Sequence, residues 1–410
     1  MPDPRNRPVF AIPALPVLAA PLLLLVSAAS AAGQEPPAAP AEPPAPAAQA
    51  APAGETAPAG DTPAASDSEA GMAAKEQAKE VVSGLRKEAS ALAPLVRSPL
   101  GKEFLAATSW LPAVPARTLW HTPDKSQYWS QAALDAMTKP ERTKLEGADG
   151  KGLERLDLSP QYYYFTRYGS PLAYSRALDV ASSGGLKSVT GKRVLDFGYG
   201  GAGHLRLLAS LGADATGIDV DPLLVALYSA PSDQGEIHAS GHAGKLRLLT
   251  GKWPGDRLLS AAAGGNFDLI VSKNTLKNGY IHPAEKVDDR LLVHLGVSDE
   301  EFVAAVADAL APGGLFLIYN LCPAPAPAGK PYIPWADGRC PFSRKVLEDA
   351  GLRVLAYDQN DDGPARAMGH ALGWDQGGKV DLDKDLFGLY TLAAKPEPAS
   401  EEDAPPAPRR

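Results

Sequence analysis

The sequence predicts an α/β fold: a mostly parallel, seven-stranded sheet with helices on both faces, preceded by a helical, aromatic-rich extension. Three observations carry that prediction. Short apolar runs alternate with helix-period segments from Arg193 to Ala393. The first run opens into a glycine-rich turn, VLDFGYGGAG at 194–203. The unusual polar residues of this span fall at the C-terminal ends of strands, where open α/β sheets collect ligands.

The elements follow in order. Residues 72–106 mix Ala, Lys and Glu, with apolar positions at Val81, Val82, Leu85, Leu92, Leu95 and Val96, and read as helical. A passage with Trp110, Trp120, Trp129 and several prolines is too aromatic for a free linker and is expected to pack on the main body. The aromatic cluster SPQYYYFTRYG leads to a helix over 171–181. Strands are expected at Arg193–Phe197, Ala215–Ile218, Lys245–Leu249, Phe267–Ser272, Leu315–Tyr319, Arg353–Tyr357 and Leu386–Ala393. Helices are expected at His204–Leu211, Pro222–Tyr228, Gly255–Ala262, Asp299–Leu310 and Ser343–Ala350. Such alternation is the pattern of a parallel sheet covered on both faces. No strong crossover helix precedes the last strand, which is expected to insert antiparallel.

The flanks differ in composition. Arg5 and Arg7 precede an apolar stretch from Val9 to Val26, and SAASAA follows. This is the pattern of an export signal over residues 1–32, cleaved near Ala29–Ala31, so a periplasmic or extracellular protein is expected. If the segment is instead a low-complexity extension, the expected location is cytoplasmic. From Gly33 to Gly71 the chain is mostly Ala and Pro without an aromatic residue, and reads as a disordered linker; the tail from Pro396 reads the same way. The net charge of −8 and the lack of a dense Lys/Arg stripe argue against a nucleic-acid partner. After the N-terminal segment no stretch reaches transmembrane length, so no integral span is expected in a mature chain. Cys322 and Cys340 are the only cysteines; a disulfide and two free thiols both stay open, and no metal site is indicated. The oligomeric state is not legible.

The glycines at 198, 200, 201 and 203 satisfy G-x-G-x-x-G, with Asp219 about twenty residues on, which also suits a nicotinamide or flavin dinucleotide. Asp196 speaks against that ligand, because a carboxylate beside the turn repels a pyrophosphate and welcomes an ammonium group. The span from Lys192 to Lys395 resembles the class I S-adenosylmethionine-dependent methyltransferases, which are Rossmann-like. VLDFGYGGAG is similar to their first motif, with Ala202 in place of the usual third glycine. GIDVDP (217–222), FDLIV (267–271), LAPGGLFLI (310–318) and PFSRKVLEDAGLRVLAY (341–357) follow in family order.

The resemblance implies a methyltransferase domain over 185–395 behind a helical cap over 72–184, with S-adenosyl-L-methionine as cofactor. Gly198 and Gly200 would curl round the amino-acid end of the cofactor, and Asp196 would orient it. Asp219 would accept from both ribose hydroxyls, and Val220 would offer an apolar edge to the adenine. Lys252 stands where the family often places an acid, which shifts adenine recognition toward backbone atoms or toward Trp253. Ser272 completes the cofactor set. The loop SKNTLKNGYIHP (272–283) is expected to face the transferred methyl, with Lys273, Asn274, Tyr280 and His282 as the candidate catalytic residues and His282 as the candidate base. Asn320, Trp335, Asp337 and Arg339 could line the acceptor site, and Tyr162–Tyr164, Arg167 and Tyr168 a lid. A small polar methyl acceptor is the expected substrate. The alternatives are an NAD- or FAD-dependent oxidoreductase and a non-catalytic binding protein that keeps the fold.

Overall fold

The structure is a computed structural model that describes residues 69–145, 152–166, 169–376 and 380–398. The expected export signal, nearly all of the Ala/Pro linker, most of the tail, and Arg167 and Tyr168 lie outside the described residues.

The main sheet is mixed. Its strands are β4 (Arg193–Phe197), β5 (Asp214–Asp219), β6 (Gly235–Ala239), β7 (His242–Thr250), β8 (Phe267–Lys273), β9 (Leu310–Cys322), β10 (Arg353–Asn360) and β11 (Phe387–Ala394). They lie in the order β10-β11-β9-β8-β4-β5-β7-β6. The pairs within β7-β5-β4-β8-β9 are parallel. The last strand, β11, inserts antiparallel between β9 and β10.

The eighth strand, β6, corrects the seven-stranded expectation. Ser240 and Gly241 both adopt positive φ (46° and 81°), and this tight turn folds β6 back on β7 with Ala239 opposite His242. Apolar patterning missed β6 because it is an edge strand with little apolar surface, Ile237 being its only core residue. A helix does precede the last strand, at Asp362–Ala371. Gly363 and Pro364 obscured it, although both fall in its first turn, where proline's missing N–H costs nothing.

The extension is helical at Glu69–Leu92 and Pro99–Ala106, but its Trp/Pro passage is a small antiparallel sheet. There β1 (Arg117–His121) lies between β2 (Tyr128–Ser130) and β3 (Glu154–Leu158). The extension meets the main sheet through the helix Tyr174–Ser183. Arg176 makes a bidentate ion pair with Asp361 (2.8 and 2.6 Å), and Asp179 accepts the backbone N–H groups of Arg97 and Ser98.

Alternation along the strands sorts side chains onto two faces. Val194, Leu269, Val271, Leu317 and Tyr319 join the core shared with the extension; Leu195, Ile218, Ile270, Phe316 and Ile318 pack with Phe302 and Val306 of the helix Asp299–Ala309. Among the described residues no helix is long and apolar enough to cross a membrane.

Candidate functional site

Strand order reverses between β4 and β8, and in an open α/β sheet the crevice beyond such a point is the ligand site. The glycine turn leaves β4 on one side of that crevice, and Lys273 ends β8 on the other.

The turn is built by its glycines. Gly198 and Gly200 hold φ of 79° and 57°, the left-handed region where a side chain is costly. Any Cβ on Gly198 would run into the Thr275 side chain, which packs there and donates to the Gly198 carbonyl. Gly200 has open space above it, its nearest neighbour for a Cβ being Thr166 at 3.8 Å. The Gly200 N–H donates to Asp219 Oδ2 (2.9 Å), while Asp219 Oδ1 accepts from Val220 (2.7 Å) and Asp221 (3.0 Å). Burial raises the Asp219 carboxyl, and these N–H groups oppose the rise. Val220 beside it is 61% exposed.

The far side of the turn is closed. Gly201 and Gly203 sit under the backbone carbonyls of Phe165 and Tyr164, with no room for a Cβ on either. The Ala202 N–H donates to the Tyr228 hydroxyl (2.8 Å). The N-terminus of the helix Gly203–Ser210 is therefore covered by protein.

Asp196 is fully buried. Its Oδ2 accepts from the Tyr174 hydroxyl (2.7 Å) and pairs with His204 Nε2 (2.5 Å). The Tyr174 ring stacks on His204, with centroids 3.6 Å apart and planes 4° from parallel. Asp196 Oδ1 and His204 Nδ1 are buried and have no partner among the described residues. Sequence reasoning missed Tyr174 and His204. The only available signal was that the first helical turn after a glycine loop faces back over the strand end.

Lys273 lies on the same face, two residues beyond Val271, the strand neighbour of Asp196. Its Nζ is 5.4 Å from the centre of the Tyr174 ring and has no hydrogen-bond or ion-pair partner among the described residues. Burial, with repulsion from Lys277, pulls its amine down to about 8, against the attraction of Asp196. Lys277 is also brought to about 8 by burial, but it is held by the carbonyls of Leu321 (2.6 Å) and Trp335 (3.3 Å).

Several predicted residues hold the scaffold instead. Ser272 is buried and its hydroxyl donates to the Phe197 carbonyl (3.0 Å), tying β8 to β4. Asn274, at φ 66°, uses its Oδ1 to accept the Leu321 N–H (2.7 Å). Trp253 is 3% exposed and packs against Phe197 and Phe302, so its ring lies in the core and not open to stack on a base. Tyr280 lies beside the Lys277 ammonium, at 5.5 Å. His282 bonds Asp299 (2.9 Å) and lines a separate depression of about 610 Å³ with Val293, His294 and Val297. None of the residues lining that depression belongs to the glycine turn or to β8. Lys273 and His282 thus serve different surfaces.

In the loop after β9, the Asn320 amide donates to the Leu276 and Gly338 carbonyls, and Asp337 forms an ion pair with Arg339 (2.6 Å). Tyr163 and Tyr164 are buried and Tyr162 is half exposed. Cys322 and Cys340 are free buried thiols.

No family model and no curated protein matches the sequence. Similar solved structures include the [4+2]-cyclase SpnF (16% identity, 54% of this chain and 81% of that one, TM-score 0.33). Another is a putative sarcosine dimethylglycine methyltransferase from Galdieria sulphuraria (14%, 57% and 88%, TM-score 0.34). A third is phosphoethanolamine N-methyltransferase 2 from Haemonchus contortus, in complex with S-adenosyl-L-methionine (14%, 72% and 74%, TM-score 0.33). Likeness at this level does not assign an activity.

Proposed function

We propose that the chain is an S-adenosylmethionine-dependent methyltransferase acting on a small polar acceptor. One observation carries the choice of ligand: the helix N-terminus behind the glycine turn is covered, while the Asp219 and Val220 side is open. A dinucleotide rests its pyrophosphate on the helix N-terminus. Here the carbonyls of Tyr164 and Phe165 and the Tyr228 hydroxyl take that place, and carbonyl oxygens repel phosphate. A nucleoside without phosphates needs only the other side.

The residues present fit the nucleoside half of S-adenosylmethionine. Three of the Asp219 lone-pair sites take backbone N–H groups, so Asp219 would receive a ribose hydroxyl on the remaining site of Oδ2, and exposed Val220 would cover one edge of the adenine. Gly200 leaves room for close approach. On the amino-acid side, Asp196 is held through Oδ2 by Tyr174 and His204 and keeps its Oδ1 without a described partner. The cofactor, when bound, supplies an activated methyl group on a sulfonium. The protein's contribution to such an in-line displacement is alignment and exclusion of water, and the crevice between the glycine turn and Lys273 is where that alignment occurs.

The test is calorimetry of S-adenosylhomocysteine, with NADH as control. The wild type should bind the first and not the second. Asp219→Ala should lose a charge-assisted ribose interaction, about 1.5–3 kcal/mol or roughly ten- to a hundredfold in affinity. Unchanged affinity in a folded variant, or binding of NADH alone, overturns the reading.

A further inference from the structure

We propose that the Lys273 ammonium is the receptor for a carboxylate on the methyl acceptor, which makes that acceptor a small carboxylic acid. The proposal rests on the methyltransferase reading and deepens it from a polar molecule to an anionic one.

The charges around the crevice point to an anionic partner. A largely buried ammonium is normally matched by an acid, because an unpaired buried charge is among the costlier features a fold can carry. Lys273 rests on the face of the Tyr174 ring, and buried Asp196 attracts it without a hydrogen bond or ion pair between them. The carboxylates near this end of the sheet are bonded to other groups, and none of them pairs with Lys273, although Asp196 keeps its Oδ1 without a described partner. Asp196 is held by Tyr174 and His204, and Asp361 by Arg176 and the Tyr319 hydroxyl. Asp337 is taken by Arg339 and the Asn278 amide, and Asp219 by three backbone N–H groups. The neighbouring Lys277 adds repulsion and brings no acid of its own.

Position adds to charge. Lys273 lies at the end of β8, directly across the switch point from the glycine turn, with its register partner Tyr319 beside it. All three of its N–H donors are uncommitted, whereas Lys277 spends donors on two carbonyls. One open ammonium suits one negative charge. A phosphate dianion would call for a second cation or a guanidinium fork, and Arg176 and Arg339 are both tied into bidentate pairs with acids. The Tyr174 ring beneath the ammonium fixes its position without neutralising it.

The test uses the intact chain with two kinds of probe. Thermal shift is measured with acetate and benzoate beside acetamide and benzamide, for the wild type, Lys273→Met and Lys273→Arg. Calorimetry is run with S-adenosylhomocysteine and with 5′-methylthioadenosine, which lacks the amino-acid end. The expected result is that at least one carboxylate stabilises the wild type while its amide does not. Lys273→Met abolishes that shift, Lys273→Arg keeps part of it, and S-adenosylhomocysteine affinity in the Met variant stays within about threefold of wild type. If the Met variant does not fold, Lys273→Gln takes its place.

A wild type indifferent to every carboxylate, or a shift that survives in the Met or Gln variant, overturns the proposal. So does a tenfold or greater loss of S-adenosylhomocysteine affinity with methylthioadenosine affinity unchanged, which reassigns Lys273 to the cofactor's own carboxylate. A wild type that binds a carboxylate through Lys273 but not S-adenosylhomocysteine overturns the methyltransferase reading and the acceptor's identity, and leaves only an anion site. Binding of S-adenosylhomocysteine without any carboxylate overturns this proposal alone.

Discussion

Replacing Tyr174 by Phe removes one oxygen atom and tests whether Asp196 is a clamp or a ligand contact. The ring keeps its stack on His204 and its place beneath Lys273; only the 2.7 Å hydrogen bond to Asp196 Oδ2 is lost. A hydrogen bond to a buried charged acceptor contributes about 1.5–3 kcal/mol. The upper end applies here, because Oδ1 has no described partner and the carboxylate would then rest on His204 alone. For roughly 300 residues unfolding together, that corresponds to a fall of about 5 °C in Tm. His204→Phe should cost a similar amount, and the double variant should depart from additivity by about 1 kcal/mol or more, since both groups bond the same oxygen. Differential scanning calorimetry reads the stability, and S-adenosylhomocysteine titration reads the site. An unchanged Tm together with a tenfold loss of affinity would refute the clamp and return Asp196 to direct ligand contact.

Two further outcomes follow from the same geometry. Burial raises the Glu88 carboxyl from 4.5 to about 7, against the hydrogen bond it accepts from Ser170. Between those values the folded chain binds more protons than the unfolded one, so stability falls as pH rises through the window. Glu88→Gln should flatten that slope and stabilise the protein at pH 8 by on the order of 3 kcal/mol, read by urea unfolding at pH 5 and pH 8; a slope that persists removes Glu88 as its source. His282→Gln should leave S-adenosylhomocysteine release within about threefold of wild type, because His282 lines a depression apart from the glycine turn; a hundredfold loss would bring that depression into the acceptor site.

What the sequence made legible is what local patterning encodes. The parallel strands β4, β8 and β9 carry runs of Val, Leu and Ile buried on both faces, and such runs stand out along a chain. The glycine turn and Asp219 were legible because few side chains tolerate those backbone angles and few close a strand with a lone acid. The edge strand β6 was not, because it carries little apolar surface, and the small sheet of the extension was not, because β1 pairs with β3 some forty residues on. Site roles were hidden for another reason. Ser272, Asn274 and Trp253 have the chemistry of ligand contacts, and only tertiary placement shows that they satisfy a carbonyl, a backbone N–H and a core cavity. Conversely, Tyr174 and His204 carry no motif, and become neighbours of Asp196 only through a helix of the extension and the first turn after the glycines.

That helix makes the extension part of the site, and a truncation tests it. A chain beginning at Leu186 would keep every methyltransferase-like motif and lose the helix Tyr174–Ser183. Asp196 would lose Tyr174, and Asp361 would lose the bidentate pair with Arg176, each leaving a buried carboxylate short of a partner. Removing one member of a buried charged pair costs about 3–5 kcal/mol. The exposed apolar face behind Leu269, Val271 and Leu317, which Ala177, Leu178 and Ala181 now help cover, adds to that loss. Against a total stability on the order of 5–15 kcal/mol, these losses together are enough to unfold the domain. The expected outcome is that a chain beginning at Glu69 melts cooperatively and binds S-adenosylhomocysteine, whereas one beginning at Leu186 does neither. A shorter chain that is soluble, melts within a few degrees of the longer one and keeps its affinity would show that residues 186–395 stand alone and that Tyr174 and Arg176 only decorate them.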